Sequence, residues 1–178
     1  MIGAPQLLAL WLALQRGAEL LLARRNTRRL LAQGGREVGS RHYPAIVAVH
    51  AGWLLCLAFL VPADAPVLWP LLAVFFALQA ARIWVIASLG PFWTTRIITM
   101  PDAPLVRRGP FRWVRHPNYL VVALEIPVLS LALDQAGLAA LFGIANLLVL
   151  RHRIRIEDAA LAPRRNVPAT EQPPAMAP

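Results

Sequence analysis

Residues 66–89 read "PVLWPLLAVFFALQAARIWVIASL", an apolar run broken only by Gln79, Arg82 and Ser88. As a helix, rising about 1.5 Å per residue, it is long enough to cross a hydrocarbon core about 30 Å thick. A helix at the surface of a soluble core would instead carry a polar residue every third or fourth position. Four further apolar segments flank it, at about 3–23, 43–62, 117–133 and 136–150. The expectation is an all-α integral membrane protein of about five transmembrane helices, forming a single domain over 1–162. The last two segments are short and are joined by "DQAG", which predicts a short helical hairpin that thins the bilayer or begins below its surface. The end of the chain, 163–178, is rich in proline with little to bury, and is expected to be a disordered tail.

Composition agrees with that class. Apolar residues make up 58% of the 178 and the mean hydropathy is +0.54, against roughly 45–50% apolar in an average soluble domain. The net charge of +9 would suit a nucleic-acid partner, but the arginines follow the membrane segments and form no aromatic-interleaved basic surface, so no nucleic acid is expected. All basic residues are arginine, which with abundant Ala, Leu and Pro points to a GC-rich bacterial genome. Cys56 is the single cysteine and lies in an apolar run, so it reads as packing. No grouping of His, Cys, Asp or Glu has metal-ligand spacing, and no metal is expected. The first apolar segment has neither a basic lead nor a small-residue cleavage site and reads as a retained helix.

The arginines orient the helices. Segment 24–41 holds six, segment 90–116 five, and the stretch after 150 another five, whereas the connections "PADAP" and "DQAG" hold none. Cytoplasmic loops carry the positive charge, so the N-terminus is expected outside and the C-terminus inside a bacterial inner membrane. Arg16 and Arg82, within the helices, are expected to snorkel to the cytoplasmic surface. Arg107, Arg108 and Arg112 read as headgroup anchors, the tryptophans mostly as packing or interface belt, and His42 and His50 as structural. The segment "TTRIITMPDAPLVRRGP", 94–110, is expected to make a short hairpin around its Pro-Asp turn, a candidate lid.

The polar chemistry concentrates in "RRGPFRWVRHPNYL", 107–120. Pro117 suits the first turn of a helix and keeps His116 non-helical before it. The free amides of that helix start, with Arg115, make an anion site. If the hairpin turns between Gln135 and Ala136, residues equally far from that point share a depth. Glu125 is then level with Asn146, Tyr119 with His152, Asn118 with Arg153, His116 with Arg155 and Val114 with Glu157, so that "RHPNY" and "RHRIRIED" converge at one mouth. Glu125, an ionisable residue inside a span, is a functional candidate, with a bond to Asn146 or Arg82 as its structural alternative.

Gly109, Phe111, Trp113, Arg115, His116, Pro117 and Tyr119 follow the pattern G-x-[FY]-x-W-x-R-H-P-x-Y, and an acidic pair, Glu157-Asp158, follows about 40 residues later. This motif set, over about residues 80–161, resembles the isoprenylcysteine carboxyl methyltransferase family, and more loosely a small bacterial branch of it that methylates alkylpyrones or phenolic lipids. The resemblance implies a membrane enzyme that binds S-adenosylmethionine at the cytoplasmic ends of the last helices and receives a lipophilic acceptor sideways from the bilayer. Residue by residue it implies cofactor contacts from Arg115, His116, Pro117, Asn118, Tyr119, Arg153, Glu157 and Asp158. Glu125 or a neutral His116 is the expected proton acceptor where the substrate is a phenol, and Asn146 and Trp113 are expected to touch the substrate. The family's acidic pair is usually Glu-Glu, here one methylene shorter, and Val121 or Val122 stands where a small residue is usual. The expected activity is therefore O-methylation of a membrane-dissolved carboxylate, enol or phenol, best matched by an alkylpyrone or other polyketide lipid. The alternatives are an NADPH-dependent membrane reductase of the sterol-reductase type, which shares the Arg-His-Pro-Asn-Tyr ending, a prenylcysteine or phospholipid methyltransferase, and a non-catalytic scaffold.

Overall fold

The computed structural model describes residues 2–100 and 105–165. Its helices are α1 (Ala4–Ala32), α2 (Tyr43–Phe59), α3 (Trp69–Leu89), α4 (Pro117–Ala132) and α5 (Ala136–Arg165). Four of them start in the same way: Pro5, Pro44, Pro70 and Pro117 lie in the first turn, where a missing N–H costs nothing and a fixed φ favours the helix. Three apolar segments are long enough to cross a membrane, Ser40–Phe59, Trp69–Phe92 and Ala136–Ala162, and Pro117–Ala132 is a shorter apolar helix. The described residues thus form a helical protein with three segments that could span a membrane. Apolar side chains also face outward, among them Leu141, Ile144, Leu147 and Leu148 on α5, as a lipid-facing surface requires.

Two expectations about the helices are corrected. α5 does not stop near residue 150 but runs to Arg165, because the charged residues of "RHRIRIED" mark where the chain leaves the apolar layer, and Arg and Glu are themselves good helix formers. The α4–α5 hairpin is therefore lopsided. The tail expected from 163 contributes its first three residues to this helix, and 166–178 lie outside the described residues. α1 likewise continues well past residue 23, carrying the arginines of 24–29 on helical backbone.

Neighbouring helices pack as α1 on α2, α2 on α5, α3 on α4 and α4 on α5. Leu12, Trp53, Leu57, Phe75, Ile126, Leu129 and Leu133 are buried together between them. Trp53 Nε1 donates to Ser130 Oγ at 2.9 Å, so the largest side chain of this core satisfies its one polar atom inside it. At one end Gln6 Nε2 donates to the carbonyls of Ala58 and Val61, and the Leu68 amide donates to the Ala132 carbonyl at 2.7 Å. The connections free of arginine meet there.

At the opposite end the arginine-rich connections meet. β1 (Arg36–Val38) and β2 (Ile97–Thr99) pair antiparallel, Val38 opposite Ile97 and Arg36 opposite Thr99. Ile97–Thr99, expected to belong to a hairpin within 94–110, pairs with the loop after α1. The hairpin's proposed Pro-Asp turn, Pro101-Asp102, lies outside the described residues. Arg96 closes the pairing with two bonds to Glu37, at 2.8 and 2.9 Å.

Candidate functional site

Helix interiors contribute the first polar layer. Arg82, 6% exposed, donates from Nε and Nη2 to the Glu19 carboxylate at 2.9 Å and from Nη1 to Glu125 Oε2 at 3.1 Å. Arg16 donates to Glu19 Oε2 at 2.7 Å and to Glu125 Oε1. Gln79 Nε2 adds a 2.6 Å bond to Glu125, and Gln15 Nε2 bonds Gln79 Oε1 at 3.0 Å. Two arginines and two carboxylates from α1, α3 and α4 thus neutralise each other in the apolar layer, where an unpaired charge is costly. The expectation that Arg16 and Arg82 snorkel to the surface is corrected. Both have carboxylates within reach inside the bundle.

The second layer is the convergence of the α4 start with α5. Tyr119 O–H donates to Glu157 Oε2 and accepts from Arg153 Nε at 2.7 Å. Arg153 also donates to the Thr95 carbonyl at 2.8 Å, tying α5 to the β2 loop. His116 Nε2 lies 3.0 Å from Asp158 Oδ1, and its ring stacks on Tyr119 with centroids 5.3 Å apart. "RHPNY" and "RHRIRIED" therefore meet as the spacing predicts. The pairing is displaced by up to about one and a half turns from equal depth: Tyr119 meets Arg153 and Glu157 where His152 was expected, and His116 meets Asp158 where Arg155 was expected. Helices that cross at an angle do not keep a common depth count.

Between the two layers lies a cavity of about 370 Å³ bordered by all five helices, within the roughly 300–1,000 Å³ of small-molecule sites. Arg115, His116, Pro117, Asn118, Tyr119, Arg153 and Glu157 form one wall. Arg115 is exposed and makes no ion pair among the described residues. Asn118 Oδ1 and Trp93 Nε1 are buried without hydrogen-bond partners, and both residues border the cavity. Orphaned buried polar atoms of this kind call for a ligand or water.

Other expected site residues lie elsewhere. Glu125, 1% exposed, does not border the cavity, and both its oxygens accept from Arg16, Gln79 and Arg82. Asn146 does not face Glu125: its Nδ2 donates to the Val122 carbonyl at 3.0 Å, joining α5 to α4. Trp113 is 71% exposed and lies beside Trp84 on the outer surface. Neither Asn146 nor Trp113 borders the cavity. Asp158 stands behind His116, whose Nε2 it holds. Arg108, expected as an anchor, donates to the Ser88 carbonyl at 2.8 Å, capping the end of α3. Sequence reasoning missed the α1, α2 and β2-loop walls. The available signal was the set of polar residues inside spans, Arg16, Glu19 and His50 included. Among the described residues no group of three or more His, Cys, Asp or Glu side chains is placed to hold a metal.

The fold is thus a helical bundle with a cavity at its arginine-rich end, walled in part by the last two helices. The isoprenylcysteine carboxyl methyltransferase family model matches residues 71–163. The chain belongs to this family, and membership places it among the membrane methyltransferases. It is 40% identical over 154 residues to "Uncharacterized protein YpbQ" of Bacillus subtilis (strain 168), covering 84% of this chain and 92% of that one. It is 37% identical over 93 residues to an "Uncharacterized protein" of Haemophilus influenzae (strain ATCC 51907 / DSM 11121 / KW20 / Rd), covering 51% of this chain and 54% of that one. No solved structure matches significantly.

Proposed function

We propose that the protein is an S-adenosylmethionine-dependent O-methyltransferase of the bacterial inner membrane, with its cavity open to the cytoplasm and a lipophilic acceptor dissolved in the bilayer. The best-matched acceptor is an alkylpyrone or related polyketide lipid. The observation that carries this reading is the meeting of the Arg115–Tyr119 wall with Arg153 and Glu157 around one cavity. The polar groups left over there suit the cofactor. Arg115 offers an uncommitted cation for its carboxylate, Asn118 Oδ1 an acceptor for an N–H or O–H, and Trp93 Nε1 a donor.

When bound, the cofactor's sulfonium supplies an already activated methyl group. The chain's share is positioning and exclusion of water. Tyr119, held between Glu157 and Arg153, fixes the spacing of α4 and α5 before any ligand arrives. Asp158 fixes the His116 ring in the same way. Pro117 starts α4 at the wall, where the Tyr119 and Leu120 amides donate to the His116 carbonyl. Glu125 we assign to holding the buried arginines, since its lone pairs are engaged. The exposed apolar faces of the helices suit an acceptor that diffuses in lipid.

Calorimetry of the detergent-purified protein with S-adenosylhomocysteine and with NADPH tests this. Binding of the homocysteine analogue is expected, weakened about 10- to 150-fold by Arg115→Ala, since a charge-assisted contact contributes roughly 1.5–3 kcal/mol. Binding of NADPH alone would assign the cavity to a reductase.

A further inference from the structure

One face of α2 borders the cavity along its length: Tyr43, Ile46, Val47, His50, Ala51 and Leu54, the i, i+3, i+4, i+7, i+8, i+11 spacing of a single helix face. Below Tyr43 every residue of this face but His50 is apolar. An imidazole within a membrane span calls for a function.

Its geometry settles which nitrogen is free. His50 Nδ1 is 2.9 Å from the Ile46 carbonyl oxygen. A carbonyl only accepts, so Nδ1 carries the hydrogen, and in the neutral ring Nε2 keeps its lone pair. Nε2 has no hydrogen-bond partner among the described residues, on a side chain that borders the cavity.

The surrounding charges come from three other helices: Arg16 and Glu19 on α1, Arg82 on α3 and Glu125 on α4. They balance each other as two pairs, so a neutral imidazole leaves no unmatched charge. Both carboxylates are engaged by arginines. His116 is held by Asp158. At the inner half of the cavity, among the described side chains, His50 is the base with an uncommitted lone pair.

We propose that His50 Nε2 is the catalytic base that takes the proton of the methyl acceptor, the acceptor being a phenol on a hydrocarbon chain, which stays protonated at neutral pH. A carboxylic acid arrives ionised at neutral pH and needs no such base. The inference rests on the methyl-transfer reading above. The acceptor O–H bond breaks with its electron pair left on oxygen, and the proton passes to Nε2, giving an imidazolium. The oxygen forms the O–CH₃ bond as the S–CH₃ bond breaks, its pair returning to sulfur as a neutral thioether. The positive charge of the sulfonium thus ends on His50 and leaves as a proton through the cavity. Arg16, bordering the same space, favours the developing oxyanion. His50 lies outside the family-matched segment, which begins at residue 71, so the base belongs to the half of the chain that the family match does not cover.

The test uses wild type, His50→Gln and His50→Ala in detergent, with a long-chain alkylphenol and its nitro-substituted counterpart, which is far more acidic. His50→Gln should bind S-adenosylhomocysteine within about twofold of wild type and lose about 10²- to 10⁴-fold in methylation of the alkylphenol. It should methylate the nitrophenol nearly normally. Its residual alkylphenol rate should rise about tenfold per pH unit, as the ionised acceptor does, and free imidazole should restore part of the His50→Ala rate. Without any methyl donor, wild type should shift the absorption of bound nitrophenol towards the nitrophenolate, and His50→Gln should shift it less. That spectrum stands even where a variant folds poorly, since wild type alone must show the ionised form. Near-normal alkylphenol methylation by His50→Gln, equal loss on both acceptors, or un-ionised nitrophenol bound to wild type would each overturn the role of His50. Wild type that binds S-adenosylhomocysteine yet methylates neither phenol would overturn the acceptor class. Wild type that does not bind S-adenosylhomocysteine would overturn the methyl-transfer reading and the inference together.

Discussion

Glu125 illustrates what a single residue's surroundings decide. Its place inside an apolar segment makes it conspicuous in the sequence, and a catalytic role is the natural first expectation. The structure surrounds it with Arg16, Gln79 and Arg82 and keeps it away from the cavity. Neutralising it leaves two buried arginines facing one carboxylate, an imbalance that costs about 3–5 kcal/mol in comparable buried pairs. Glu125→Gln should therefore lower the melting temperature by roughly 6–20 °C for a chain of this size. Thermal unfolding in detergent measures it, and an unchanged melting temperature would mean that the carboxylate does not hold the arginines. The same comparison brings forward His50: it belongs to no motif, yet it borders the cavity with Nδ1 on the Ile46 carbonyl, whereas His116 of the motif is held by Asp158.

Among the elements, the pairing of β1 with β2 was the least legible. Each strand is three residues long, too short for alternation to stand out, and the partners are separated by two membrane helices. Only the return of α3 beside α1 brings them together, helped by Asn26, which donates to the Trp93 carbonyl at 2.9 Å. Opposite residues of an antiparallel pair lie about 4.5–5.5 Å apart at Cα, within disulfide range. In a Cys56→Ser background, Val38→Cys with Ile97→Cys should form an internal disulfide on mild oxidation. Both thiols should then stop reacting with maleimide while the protein still runs as a monomer. Thiols that stay reactive would contradict the register. The helix starts were legible for the opposite reason: proline acts on its own turn, whatever the rest of the chain does.

For the whole molecule the arginine-rich connections gather at one end and the connections without arginine at the other. That segregation supports placing the cavity end in the cytoplasm. Single cysteines should report it: Gln33→Cys and Arg107→Cys labelled only from the cytoplasm, Asp64→Cys only from outside, each again with Cys56→Ser. All three native residues are exposed, whereas the glycines nearby are poor choices, since Gly34 and Gly109 have φ of +88° and +57°. Labelling of position 33 from outside intact cells would reverse the orientation. By itself the sequence determined the membrane class, the helix starts, the family and the approach of "RHPNY" to "RHRIRIED", because these depend on apolar run length, local backbone chemistry and a short turn between adjacent helices. The tertiary structure alone decided that Arg16 and Arg82 pair with Glu19 and Glu125, that α2 lends His50 to the cavity, and that two distant loops pair as β1 and β2 at the arginine-rich end. Those contacts join α1, α2 and α3 to α4 across long separations, and periodicity says which face of a helix is apolar but not which helix it meets.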